Sequence, residues 1–320
     1  MLTIAYLTFR PEPRFDWLGA TLGRELRAVP EVAREVQILV IDGQWGSTVA
    51  GGVEGRCRWA QLEEGVAGRF SVEHRPPKPT VWSGPHRLTQ RDYFTAANAR
   101  NTALALARGS HVAFVDDLSI IVPGWLKAHL HAHDHGYVLA GSTCKHLDCH
   151  VEADGSYRST PHNAGLDSRL RHLPPAGTVD CPPNWLYGGT FSVPLELALA
   201  VNGQDEMCDT IGGEDYDFGV RLVRAGAKMR ITRECATIED DYAHAGGTAV
   251  RLDKPYPGPD GPYSSNHLLR RLERETSRTQ PLGNAFDLRA MRHDVLNGAS
   301  FPIPHEPSTH WVDGQPLSEM

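Results

Sequence analysis

Ser110-His111-Val112-Ala113-Phe114-Val115-Asp116-Asp117 is a short apolar run that ends on two adjacent carboxylates. An uninterrupted apolar run of this length reads as a strand buried on both faces, the kind that fills a parallel sheet. Just upstream, the alanine-rich stretch 93–108 has the composition of a helix and stops at Gly109. The same grammar recurs toward the N-terminus: Leu2–Thr8 reads as a first strand, 17–29 as a helix, and 36–41 as a second buried strand stopping at Asp42-Gly43. Strands alternating with helices in this way predict an α/β fold, a mostly parallel sheet flanked by helices and joined by crossovers. In such sheets ligands collect beyond the carboxyl ends of the strands. Those ends carry polar or acidic groups here, in Thr8-Phe9-Arg10, Asp42-Gly43 and Asp116-Asp117. That is the layout of a nucleotide pocket. Neither a phosphate-binding P-loop nor the dinucleotide glycine signature accompanies it, which counts against an ATPase or a dinucleotide enzyme.

Past Pro123 the texture changes. Trp125–His135 reads as a helix and 138–141 as a strand, whereas 144–183 is polar, proline-bearing and without a strong period. Order resumes over 184–193, followed by a helix over 195–202 ending at Gly203 and a strand over 228–231. The segment 65–85 contains Pro76-Pro77-Lys78-Pro79 and reads as an extended connection. The segment 251–264 is dense in Pro and Gly and reads as a loop or flap, 266–278 as a charged helix, and 302–320 as an extended tail. We therefore expect one domain over 1–250, with 251–320 a flap, helix and tail packed on it.

At 320 residues, 40% hydrophobic and 22% charged, the chain has the composition of an ordinary globular protein. A net charge of −7 argues against a nucleic-acid binder, which needs a basic stripe. No run is apolar enough to span a bilayer, the first residues read as a strand rather than a signal peptide, and six irregularly spaced cysteines form no disulfide framework. A cytoplasmic location is the default.

The second telling stretch is Gly212-Gly213-Glu214-Asp215-Tyr216-Asp217-Phe218, running on to Gly226. Phe218, Leu222 and Val223 recur at helical spacing and Gly226 is placed as a C-cap, so Glu214 and Asp215 sit at a helix N-terminus. Free N–H groups and the helix dipole favour ionised carboxylates there, as a general base requires. An acidic N-cap without catalytic work fits the same residues.

Together these pieces resemble the family 2-like glycosyltransferases of the GT-A fold, over residues 2 to about 244. Thr8 and Arg10 resemble the end of the first strand, where that family holds the nucleotide. Asp42 resembles its acidic nucleobase or ribose contact, and Ala99-Arg100-Asn101 the segment that opens the helix before the metal strand, with Arg100 a donor contact. Phe114-Val115-Asp116-Asp117 with Pro123-Gly124-Trp125-Leu126 is similar to its aspartate motif. Trp185-Leu186-Tyr187-Gly188-Gly189 resembles the segment under the acceptor site, with Gly189 a binding position. The G-G-E-D pattern is closest to galactosyl- and N-acetylgalactosaminyltransferase-like members.

The resemblance implies an inverting transferase that moves a hexose from a nucleotide sugar, such as a UDP-sugar, to a carbohydrate or glycolipid acceptor of the surface-glycan-precursor kind. It implies Asp215 as base with Glu214 orienting the acceptor, Asp116 on the ribose, and Asp117 with His244 as ligands of Mn2+ or Mg2+. One departure stands out. The family's second acidic position is Leu118 here, giving D-D-L. A nucleotidyltransferase or a non-catalytic sugar-nucleotide module is the alternative.

Other clusters read more weakly. His129, His131, His133 and His135 lie on a helix, where only alternate pairs share a face, and read as solvated. Cys144, His146, Cys149 and His150 have unusual spacing for zinc. Lys78, His86, Arg87 and Arg91 around Trp82 and Tyr93 fit either a donor contact or a packed surface.

Overall fold

The computed structural model describes residues 1–10, 13–29, 36–45, 70–89, 92–162, 167–210, 212–240, 279–281, 283–304, 311–312 and 315–316. The flap and helix expected over 251–264 and 266–278, most of the 302–320 tail, Arg91 and His244 lie outside the described residues. The strands are β1 (Leu2–Thr8), β2 (Val36–Asp42), β3 (Phe70–Arg75), β4 (His111–Asp116), β5 (Ser119–Ile121), β6 (Val138–Val151), β7 (Tyr157–Pro161), β8 (Val179–Asp180), β9 (Thr190–Pro194), β10 (Met229–Asp240), and the short antiparallel pair β11 (Trp311–Val312) and β12 (Gln315–Pro316). The helices are α1 (Phe15–Ala28), α2 (Ala96–Leu106), α3 (Trp125–His135), α4 (Leu195–Ala200), α5 (Glu214–Arg224) and α6 (Leu288–Leu296). Contacts divide the chain into two compact units. One comprises Met1–Pro76, Ala107–Leu195 and Lys228–Val250, the other Pro77–Leu106, Glu196–Ala227 and Arg251–Met320.

The first unit holds a ten-stranded sheet with the order β3-β2-β1-β4-β9-β6-β10-β5, with β7 added on β6 and β8 on β10. The expected parallel sheet spans β3 to β4 without interruption, with Leu7 opposite Ile41 on one side and Asp116 on the other. Beyond β4 the sheet becomes mixed. β9 runs antiparallel to both β4 and β6, and β10 is parallel to β6 but antiparallel to β5. Every residue of β1 is buried, as expected for a strand covered on both faces. Leu18, Leu22 and Leu26 of α1 and Trp125, Leu126 and Leu130 of α3 form one core with Leu2, Ile4, Tyr6, Ile38 and Val40. Glu25 joins the two helices: its Oε2 accepts the backbone N–H of Gly124 at 2.8 Å and of Leu126 at 3.3 Å, capping α3 from α1.

Two elements differ from the sequence expectation. β3 occupies part of the stretch read as a connection, because the proline run begins only at Pro76, one residue after the strand ends. β6 runs on to Val151, where polarity hid it. Its second half pairs with β7 and is half-buried or exposed at every position but Cys149, so no apolar run marks it.

Apart from β11 and β12, the regular elements described in the second unit are helices. All of α2 is buried, and Asp209 caps it by accepting the N–H groups of Ala97 at 2.6 Å and Asn98 at 3.0 Å. Trp82 and Tyr93 form a small core with Val81, Leu88 and Met207, and Leu288 and Met291 bury the inner face of α6. On α5 the buried face is Phe218, Leu222 and Arg221, while Val223, expected inside, is exposed. Arg221 takes that place because its charge is met internally, as described below.

Candidate functional site

In the first unit the ends of β1 and β4 bring three predicted residues together. Thr8 Oγ1 donates to Asp117 Oδ2 at 3.0 Å, and Arg10 Nε donates to Asp117 Oδ1 at 3.0 Å. The Arg10 backbone N–H closes the group by donating to Thr8 Oγ1 at 3.2 Å. Parallel register dictates this meeting, since Leu7 lies opposite Asp116 and each chain leaves its strand in the same direction. Burial pushes the Asp117 carboxyl above the usual carboxylate range; the Arg10 charge and the bonds from Arg10 and Thr8 oppose that shift, and Glu239 adds to it. Arg10 is thus what favours the ionised form.

Asp42, expected to touch the nucleotide, is wholly buried. Its Oδ2 lies 3.0 Å from His74 Nε2 and its Oδ1 accepts the N–H of Gln44 at 2.9 Å. The ring of Trp45 meets His74 edge-on at 4.6 Å. A carboxylate enclosed this way holds the histidine ring in one orientation. Sequence reading missed His74, which lies on the strand it took for a connection.

Asp116 donates its N–H to the carbonyl of Gly189 at 3.1 Å, tying β4 to the segment before β9. A Cβ at Gly189 would fall 2.5 Å from Thr143 Oγ1 and 3.2 Å from the Tyr187 ring, so the close approach itself requires glycine. The Tyr187 ring beside it is 41% exposed and carries the Arg169 guanidinium at 5.3 Å. Leu118 turns between β4 and β5 at φ 60, is buried, and accepts a bond from the Asp240 N–H at 3.4 Å. Its position after the two aspartates is therefore structural and apolar.

In the second unit Gly212 and Gly213 adopt φ 81 and 86 and deliver Glu214 and Asp215 into the first turn of α5, as expected. Asp215 Oδ1 accepts the N–H of Tyr216 at 2.7 Å. Arg100, expected at the donor, donates to Glu214 Oε1 at 2.9 Å from a buried position on α2. Further along α5, Arg221 Nε donates to Asp217 at 2.7 Å, and Arg221 Nη1 donates to the carbonyls of Val201 at 2.7 Å and Gly203 at 2.8 Å. This buried fork anchors the helix that presents the two acids. Lys78 is also internal: its ammonium meets Glu206 at 2.8 Å and stands 4.2 Å over the Phe286 ring. Trp82 and Tyr93 are buried as well, whereas Arg87 is 41% exposed and meets Asp92 at 3.2 Å.

Among the described residues no three His, Cys, Asp or Glu side chains stand close enough to hold a metal ion. The expected set, Asp117 with His244, is described only at Asp117, and both oxygens of that carboxylate already accept bonds from Arg10 and Thr8. Each of those oxygens accepts one such bond and keeps a further lone pair, and His244 lies outside the described residues. The histidine run on α3 is not uniformly solvated: His129 is buried against Trp125 at 4.0 Å and lies 3.4 Å from Cys235 Sγ, while His131 and His135 stack at 4.1 Å. Cys144, His146, Cys149 and His150 sit along β6 and form no metal cluster among the described residues.

No helix among the described residues is long and apolar enough to cross a membrane. No protein-family model and no curated protein matches the chain. Among solved structures, Staphylococcus aureus TarS 1-349 in complex with UDP is similar at 14% identity with TM-score 0.49, over 75% of this chain and 60% of that one. The same protein in complex with UDP-GlcNAc gives 13% identity and TM-score 0.48, over 75% and 58%. Mannosyltransferase PcManGT from Pyrobaculum calidifontis, in complex with GDP-Man and Mn2+, gives 14% and 0.42, over 74% and 56%. The chain thus spans 56 to 60% of the length of these solved chains.

Proposed function

We propose that this protein is an inverting glycosyltransferase that moves a hexose from a nucleotide sugar to an acceptor hydroxyl. The observation that carries the reading is the Thr8–Arg10–Asp117 cluster, built where adjacent parallel strands end and an α/β sheet receives its ligand. The ordered motifs that follow it, through G-G-E-D, support the same reading. Thr8 and Arg10 face the nucleotide, His74 held by Asp42 recognises its base or ribose, and Asp116 bonds the ribose. Asp215 at the start of α5 is the general base, and Glu214, held by Arg100, orients the acceptor.

In the reaction the acceptor oxygen bonds to the anomeric carbon as its proton passes to Asp215. The bond from that carbon to the diphosphate breaks, and its electron pair leaves with the nucleoside diphosphate. Asp215 takes up one proton per turnover and returns it to solvent. A UDP-hexose is the favoured donor and a glycan precursor the favoured acceptor. No step is routed through a metal ion.

A panel of UDP- and GDP-sugars, scored by release of nucleoside diphosphate, tests the proposal. Release from one donor by the wild type, reduced at least about a hundredfold in Asp215→Asn, is expected for loss of a general base. Release from none, or equal release by the variant, removes the assignment.

A further inference from the structure

We infer that His131 and His135, in the last turn of α3, form a surface site for a divalent transition-metal cation that prefers imidazole ligands, held between their two Nε2 atoms. This site is independent of the transferase reading above. Residues four apart share one face of a helix, and here the two rings stack with centroids 4.1 Å apart and planes 21° apart. Both side chains are exposed, so an ion reaches them from solvent.

Each ring is held through its other nitrogen. His135 Nδ1 lies 2.8 Å from the His131 carbonyl. A carbonyl only accepts, so Nδ1 carries the proton and the neutral ring keeps its lone pair on Nε2. His131 Nδ1 lies 2.8 Å from Tyr137 Oη, a hydroxyl able to accept the same kind of bond. Histidines that ligate a metal are held in this way by the nitrogen that does not. Among the described residues neither Nε2 makes a hydrogen bond. Two nitrogens bound side by side to one ion at about 2.1 Å stand about 3 Å apart, which rings at this spacing reach by small rotations of exposed side chains. The end of a helix also favours a cation, and Gly136 closes α3 directly after His135. Arg230, over the Tyr137 ring at 5.5 Å, has its charge met by Asp180 at 3.0 Å. No third His, Cys, Asp or Glu joins the pair among the described residues, so water completes the shell of the ion. Imidazole pairs select Cu2+, Ni2+ and Zn2+ over Mg2+, which takes oxygen ligands.

Calorimetric titration of the full chain with NiCl2, alone and with millimolar MgCl2 present, tests the site. Wild type is expected to bind Ni2+ in a manner that Mg2+ does not displace. His131→Gln and His135→Gln are each expected to weaken that binding at least about tenfold, because a two-point chelate becomes a single contact. His293→Gln, at an exposed histidine of α6, is expected to leave it unchanged. In proton NMR of the wild type the ring signals of His131 and His135 should broaden first as the paramagnetic ion is added, a reading that needs no variant. Thermal unfolding confirms that the variants are folded. Equal binding by wild type and both α3 variants, or broadening that begins at other histidines, overturns the inference. So does a wild type that binds Ni2+ no more tightly than about 1 mM.

Discussion

Replacing Arg221 by alanine removes the one guanidinium buried in α5 and should unfold more than a local contact. Arg221 is fully buried and makes three bonds, to the Asp217 carboxylate and to the Val201 and Gly203 carbonyls. Truncation removes the counter-charge that Arg221 gives to Asp217, itself only 2% exposed. Removing one partner of a buried pair costs about 3–5 kcal/mol, against about 5–15 kcal/mol for a whole domain. Urea unfolding at neutral pH, followed by circular dichroism and by tryptophan fluorescence, measures the loss. The double variant Arg221→Met with Asp217→Leu leaves no stranded charge and should cost less than the single change, because an apolar pair of similar volume often replaces a buried ion pair near neutrally. A loss below about 1 kcal/mol in Arg221→Ala would refute the reasoning, since it would mean that the Asp217 carboxylate finds water and the fork does not anchor α5.

Further outcomes follow from the first unit. His111 is buried beside Ser192, and burial together with His133 lowers its pKa from 6.5 to about 3. The unfolded chain therefore takes up a proton as pH falls through 6.5 while the folded one does not, so stability complete above that value is lost between 6.5 and about 3. Acid titration of unfolding in His111→Gln should be flatter over that window, by up to about 1.4 kcal/mol per pH unit. Gly189→Ala places a methyl 2.5 Å from Thr143 Oγ1 and should cost about 1–3 kcal/mol in a melting experiment. Asp42→Asn should lower nucleotide affinity through misorientation of His74, and crystallographic or NMR assignment of the His74 ring would show it displaced.

The strand ends were legible in the sequence because each is marked locally, by an apolar run that stops on a polar residue. Thr8, Arg10 and Asp117 could be named on that ground, and Gly212-Gly213 announced the start of α5. Their bonds could not be read, because Thr8 and Asp117 are 109 positions apart and meet only through parallel register. Asp42 looked like a ligand because a carboxylate at a strand end usually is one; its partner His74 lies on β3, an edge strand whose pattern is broken by the following prolines. Arg100 and Lys78 carried the charge of ligand residues, and long-range partners, Glu214 and Glu206, absorbed it. Val223 and Arg221 exchanged places on α5 for a similar reason, since helical spacing cannot foresee backbone carbonyls that accept a buried guanidinium. The extension of β6 was missed because a strand with one open face carries polar residues.

The most direct test of the transferase reading is proton NMR of the anomeric position during turnover of the donor selected by the panel. An α-linked nucleotide hexose should give a β-linked product, or β-hexose on hydrolysis, at a rate that nearly vanishes in Asp215→Asn. Product of retained configuration, or turnover unchanged by that substitution, would contradict the assignment of Asp215 as the base of a single inverting displacement.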